Sequence, residues 1–150
     1  MADVRLDFKA LAEAGSMLGS GALVVCSEDR CMLDMALNAT EFYRNESCGK
    51  CVPCRMGSQK MVEILTRWTQ GGVSESQFGA DLKLVDDLSS AMSQTSICGL
   101  GQIVPAPVQS VLKHFRPEVE AHVMKGQCPS GICFSAANCL GELPRVGIRP

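Results

Sequence analysis

Three cysteines at two-residue gaps, Cys48, Cys51 and Cys54, are the residues of this sequence whose spacing speaks most directly of chemistry. A chain turning around an iron–sulfur cubane can offer three thiolates to three irons at such gaps, and the fourth iron then needs a remote ligand. Cys98 is the best candidate, because it lies in the stretch Cys98-Gly99-Leu100-Gly101 between two predicted helices. Glycines there let the backbone approach inorganic sulfur and donate N–H hydrogen bonds to it. Lys50 and Arg55 stand beside the motif, where their charge offsets that of a cluster. Two other chemistries share this spacing. Structural zinc more often takes two separated Cys-x2-Cys pairs than three evenly spaced thiols. A redox dithiol needs no third cysteine and belongs in a βαβ context that this sequence does not offer. The residues favour one [4Fe-4S] cluster, with zinc as the alternative.

Those thiols need elements to hold them. From Cys31 to about Glu46, Met32, Leu33, Ala36, Leu37, Ala39 and Tyr43 recur at helical spacing, and the segment ends where the cysteine motif begins. Pro53 suits an early helical position, and Val62, Ile64, Leu65 and Trp68 continue an apolar face until Gly71-Gly72. Ser74 with Gln77 three residues on reads as a capping box, opening a helix to about Gln94 with Phe78, Leu82, Val85, Leu88 and Met92 on one face. Pro105 and Pro107 open a fourth, with Val108, Val111, Leu112 and Phe115 inward, and Pro117 breaks or restarts it before His122. The sequence thus predicts a mainly α protein, a four-helix bundle over residues 31–124. Residues 1–30 read as a linker with a short helix, Leu6 to Ala14, and a β-like run, Ala22 to Val25. Residues 125–150 read as an irregular tail carrying Cys128, Cys133 and Cys139.

Composition narrows the class. With 150 residues, 46% hydrophobic and 20% charged, and a formal net charge of -2, the chain has the balance of a folded protein and of neither a disordered tail nor a nucleic-acid binder. No apolar run approaches the roughly 20 residues of a membrane span. Asp3, Arg5, Asp7 and Lys9 stand where a signal peptide would be apolar, so the expected location is the cytoplasm. Nine cysteines in a reducing compartment point to metal-binding thiolates instead of disulfides. No Ser/His/acid arrangement is present and there are only two histidines, so catalysis is expected of partners. Gly19-Ser20-Gly21 reads as a turn and not a phosphate cradle, Cys26 as a buried core thiol, and the eight methionines mostly as packing.

The words ESCGKCVPCRMG at 46–57 and TSICGLGQIVPAPV at 95–108 resemble the C-terminal iron–sulfur domain of the NADH-binding flavoprotein subunit of complex I. The same domain occurs in the β subunits of NAD-dependent formate dehydrogenases and of NAD(P)-linked and electron-bifurcating hydrogenases. LAEAGSMLGSG at 11–21 is similar to the segment that joins their ubiquitin-like domain to this bundle. The resemblance implies that Cys48, Cys51, Cys54 and Cys98 hold one [4Fe-4S] cluster that relays single electrons between a flavin and the next iron–sulfur centre. It also implies neighbours: a flavin or NADH-binding module, a small iron–sulfur subunit and a catalytic subunit. Family members begin with a glycine-rich domain for FMN and NADH that this chain does not contain, so direct NADH oxidation is not expected of it. The abrupt join of Met1-Ala2 to a mid-family segment is also what a split or excised piece of the full flavoprotein would show.

CPSGIC at 128–133 is similar to a segment of the hydrogenase and formate dehydrogenase branch, where a further metal site can occur. His122, Cys128 and Cys133 lie close in sequence, and Cys31, in a stretch resembling TCMVDVA of that branch, completes a Cys3His set for structural zinc. The competing reading packs Cys31 as a small apolar residue and leaves the other three at the surface. Cys128, Cys133 and Cys139 are spaced too widely for a second cubane, and Cys139 has no partner at an informative spacing. Two functions follow. In one the chain is an electron-transfer subunit of a larger oxidoreductase. In the other it is a structural or assembly module whose metal sites only hold the fold and dock partners.

Overall fold

The computed structural model describes residues 3–133. Within them the chain forms α1 (Phe8–Glu13), α2 (Met32–Asn45), α3 (Val52–Gln70), α4 (Glu75–Thr95), α5 (Gly99–Ile103), α6 (Ala106–His114) and α7 (Arg116–Lys125), and no strand. The protein is mainly helical, as the hydrophobic periodicity predicts. Helix α3 lies at the centre, packed against α2, α4, α5 and α7, while α6 bridges α2 and α7.

The predicted inward faces are the ones that meet. Leu33, Ala36 and Leu37 of α2, Met61, Val62, Ile64, Leu65 and Trp68 of α3, Phe78 and Val85 of α4, and Val108 and Val111 of α6 are buried in one core. Burying each of the larger aliphatic and aromatic side chains among them contributes about 1.5–3 kcal/mol. Trp68, fully buried, stands edge-on to Phe78 with ring centroids 5.2 Å apart, and the Arg116 guanidinium lies 5.6 Å from the Phe78 centroid. Around the indole a polar network closes on Asp81, which is 2% exposed. The Asp81 carboxylate accepts from Arg67 Nη2 at 2.7 Å and Nε at 3.2 Å, from Trp68 Nε1 at 2.9 Å and from Gln77 Nε2 at 2.8 Å. Burial alone would push its carboxyl up, but these donors and the Arg67 charge outweigh it and hold the group below its ordinary value.

Local signals explain the boundaries. Pro53 sits in the first turn of α3, and Gly71 and Gly72, at φ +72, end it in a conformation that L side chains rarely adopt. Ser74 Oγ accepts the Gln77 N–H at 3.3 Å. The return half of the expected capping box is missing: the Gln77 amide turns toward Asp81, to which its Nε2 donates at 2.8 Å. Pro117 restarts the last helix: Phe115 closes α6 and opens α7, whose end at Gly126 is left-handed. The Val73 N–H donates to the Val123 carbonyl at 3.0 Å and ties the α3–α4 turn to α7.

Several expectations are corrected. Ala22 to Val25 forms no strand: Leu23, Val24 and Val25 are exposed, and no described segment runs alongside to complete a ladder. The stretch after Cys98, expected as a loop, winds into the five-residue α5. Cys26 is exposed in the coil before α2 and is not a core thiol. Met61 and Met92 pack inside, whereas Met17 and Met56 are more than half exposed. Of the irregular tail, residues 126–133 carry no helix or strand, and Cys139 with the remainder lies outside the described residues.

Candidate metal centres

The first thiol set sits at one end of α3. Cys51 is the N-cap of α3 and Cys98 the N-cap of α5, and neither side chain spends itself on capping. A thiol at a helix N-terminus faces unpaired N–H groups that favour the thiolate. Cys54 follows in the first turn of α3 and is buried, Cys51 is half-buried, and Cys48 and Cys98 are exposed. Backbone N–H groups of Ile97 and Cys54 lower the Cys51 pKa, and α5, the helix that Cys98 caps, packs against α3. Gly49, at φ +73, makes the turn between Cys48 and Cys51, and Arg55 Nη1 braces it with a hydrogen bond to the Gly49 carbonyl at 3.3 Å.

Two serines line the same place. Ser47 Oγ lies 3.2 Å from Cys54 Sγ and accepts the Gly49 N–H at 3.3 Å. Ser96 is 6% exposed, and its Oγ has no hydrogen-bond partner among the described residues. Gly101 completes the cradle, since a β-carbon there would stand 2.6 Å from Ser96 Oγ and 2.9 Å from Cys54 Cβ. Thiol donors, helix N-termini, a glycine where no side chain fits and a buried hydroxyl lacking an acceptor are features that suit an iron–sulfur group at these cysteines.

The second set lies at the other end of α3. The ligating atoms of Cys31, His122, Cys128 and Cys133 all fall within 4.8 Å of one another. A tetrahedral ion with metal–sulfur bonds of about 2.3 Å needs its donors roughly 3.8 Å apart, so the four are gathered at nearly that scale. Cys31 is the N-cap of α2, His122 comes from α7, and Cys128 and Cys133 from the chain after it. Cys31 and His122 are buried, Cys128 and Cys133 half-buried. His122 Nδ1 lies 3.2 Å from the Trp68 carbonyl, which can only accept, so Nδ1 carries the proton and Nε2 is left to the thiols.

Electrostatics inside this set reflect crowding. The Cys133 thiol donates to Cys31 and, against burial, pulls the Cys31 pKa far down, helped by His122. Cys133 moves up for the same reason and through burial. Burial opposes charge on His122 and on Cys128, yet Cys31 raises the histidine and Ser130, with the Cys133 backbone, lowers Cys128. Three thiols and an imidazole gathered this closely are a donor set that suits a cation taking thiolates and a neutral imidazole.

Of the competing reading, the buried Cys31 holds but the surface histidine does not, since His122 is buried within reach of Cys31, with Cys128 and Cys133 half-buried beside them. Sequence reasoning missed Ser47, Ser96 and the Trp68 carbonyl. The serines stand one residue before Cys48 and two before Cys98, a proximity visible in the sequence. Nothing in the sequence marks a carbonyl at the far end of α3 as the partner of His122.

Residues 34–122 match the family described as the NADH-ubiquinone oxidoreductase-F iron-sulfur binding region. The chain is 43% identical over 131 residues to the NADP-reducing hydrogenase subunit HndC of Solidesulfovibrio fructosivorans, covering 87% of this chain and 26% of that protein. It is 35% identical over 120 residues to the mitochondrial NADH-ubiquinone oxidoreductase 51 kDa subunit of Neurospora crassa, covering 80% and 24%. A solved structure, the NAD+-reducing [NiFe]-hydrogenase in the H2-reduced state, superposes with a TM-score of 0.60 at 29% identity, over 66% of this chain and 17% of that one. The chain spans about a quarter of the length of the curated relatives it matches. Among the described residues no helix is long and apolar enough to cross a membrane.

Proposed function

The chain belongs to the family of the NADH-ubiquinone oxidoreductase-F iron–sulfur binding region, and from that premise we propose that it relays single electrons within a multi-subunit oxidoreductase linked to NAD(P)H, hydrogen or formate. Cys48, Cys51, Cys54 and Cys98 hold one [4Fe-4S] cluster. When bound, such a cluster supplies a one-electron couple whose potential its surroundings set. The observation that carries this reading is the close approach of Gly101, three residues after Cys98, to Cys54, where a β-carbon on the glycine would stand 2.9 Å from Cys54 Cβ.

The chain's residues divide the work. Cys54 is buried in the first turn of α3, while exposed Cys48 and Cys98 put the other edge of the site at the surface. Val52, Met56 and Ile97, each more than half exposed, make the surrounding rim apolar, the kind of surface a neighbouring subunit covers. The neighbours in this reading are a flavin or NADH-binding module, a small iron–sulfur subunit and a catalytic subunit, in the cytoplasm where thiols stay reduced. Flavin and nicotinamide belong to the first of these. Cys31, His122, Cys128 and Cys133 hold one structural zinc, which has no redox chemistry and fastens residues 128–133 to the start of α2.

The test is iron, sulfide and zinc analysis of anaerobically reconstituted protein, with EPR after dithionite reduction, for the wild type and for Cys98→Ala. About four irons and four sulfides with a reducible S = 1/2 signal, lost or altered in the variant, are expected. Zinc without sulfide would refute the relay and leave the structural role.

A further inference from the structure

We propose that Ser47 and Ser96 are paired hydroxyl donors that set the reduction potential of the iron–sulfur site from beside Cys54. The inference rests on the cluster assignment above and goes beyond it, to residues that ligate nothing.

Ser47 has its direction fixed. Its oxygen accepts the Gly49 N–H at 3.3 Å, and it lies 3.2 Å from Cys54 Sγ. A ligating thiolate carries no proton and can only accept, so the hydroxyl proton points at the sulfur. Ser96 has its position fixed. Its N–H donates to the Met92 carbonyl at 3.1 Å and its carbonyl accepts Gln102 Nε2 at 3.2 Å, which pins the backbone at the end of α4. Only its hydroxyl remains, buried and unpartnered among the described residues, against Gly101 and close to Cys54. A buried donor normally finds an acceptor. The acceptors this site supplies are the cysteine sulfurs and the sulfides of a bound cluster.

Reduction adds one negative charge to the cluster and its thiolates, so a hydroxyl donor stabilises the reduced form more than the oxidised form and raises the potential. Ser47 and Ser96 are positioning residues in this sense, acting through sulfur without touching iron. A role in packing alone would leave the potential where it is.

The experiment is a redox titration followed by EPR on the anaerobically reconstituted 150-residue chain: wild type, Ser47→Ala, Ser96→Ala, the double variant and Ser96→Thr. Each alanine is expected to lower the equilibrium constant for reduction about tenfold, which for a one-electron couple is a shift of about 59 mV to lower potential. The double variant should fall further, and threonine, which keeps the hydroxyl, should stay near the wild type. Because EPR reads only clusters that have formed, a variant with reduced iron uptake still reports its potential. Unchanged potentials in both alanine variants, at normal iron and sulfide content, would overturn the proposal and leave the cluster assignment standing. A wild type without sulfide would overturn both.

Discussion

The two thiol sets stand at opposite ends of α3 and are built on opposite principles. Cys48, Cys51 and Cys54 fall within one short stretch, so the chain delivers three thiols together and only Cys98 comes from afar. Cys31, His122, Cys128 and Cys133 come from three separate parts of the chain and meet only because α2, α3 and α7 have packed. The first set leaves two thiols exposed, and the second buries its cysteine and histidine anchors. A group that must exchange electrons with neighbours belongs at an edge, and a group that only holds the fold belongs where its removal is felt by the core.

The largest test of that contrast removes the buried anchor. His122→Ala should abolish zinc uptake and lower unfolding stability by about 3–5 kcal/mol, through the lost metal and the cavity left between Trp68 and the thiols. Zinc analysis and denaturant unfolding read both. The iron–sulfur EPR spectrum should keep its g values, and loss of that spectrum together with zinc would show the two sets to be one cooperative unit.

Gly101→Ala probes the other end. The added β-carbon meets Ser96 and Cys54 at distances real β-carbons do not tolerate, so iron and sulfide content should fall and stability drop by about 1–3 kcal/mol, with zinc content unchanged. Full iron loading in this variant would mean that the cradle opens without cost.

Asp81→Asn should act more mildly, by about 1–2 kcal/mol, because Arg67 is 41% exposed and solvent screens the pair. Its effect depends on pH. The folded pKa of Asp81 lies below the ordinary value of 3.8, so its contribution is complete above that value and disappears as pH falls through the lower, folded one. The stability gap between wild type and variant in unfolding curves should therefore be full at neutral pH and close in acid. The smallest effect belongs to Lys60→Gln, which breaks an exposed pair with Glu63 at 3.0 Å and should leave the melting curve unchanged.

What could be read from the sequence follows the same division. The cysteine motif and the inward faces of α2, α3 and α4 were legible because local spacing determines them. Cys98 was legible as a cysteine in a glycine-bearing stretch between two helical patterns, and Cys31 only through resemblance, since nothing local links it to a histidine 91 residues away. The β-like run at Ala22 to Val25 failed because strand propensity means little without a second strand. Cys26 failed because apolar neighbours do not bury a residue unless a surface packs over them. Gln77 carried a capping signal and then served Asp81, a competition that only the packed helices decide.

The second thiol set also has a topological meaning. A metal bridging Cys31 and Cys133 closes a loop of about 100 residues, and for a crosslink of that span the restriction of the unfolded chain is worth on the order of 4.7 kcal/mol. Cys48, Cys51, Cys54 and Cys98, the proposed ligands of the iron–sulfur site, all lie inside the loop. Opening that clasp would therefore return freedom to the whole enclosed segment in the unfolded chain, lowering the stability of the fold around the first thiol set without any contact near it having changed.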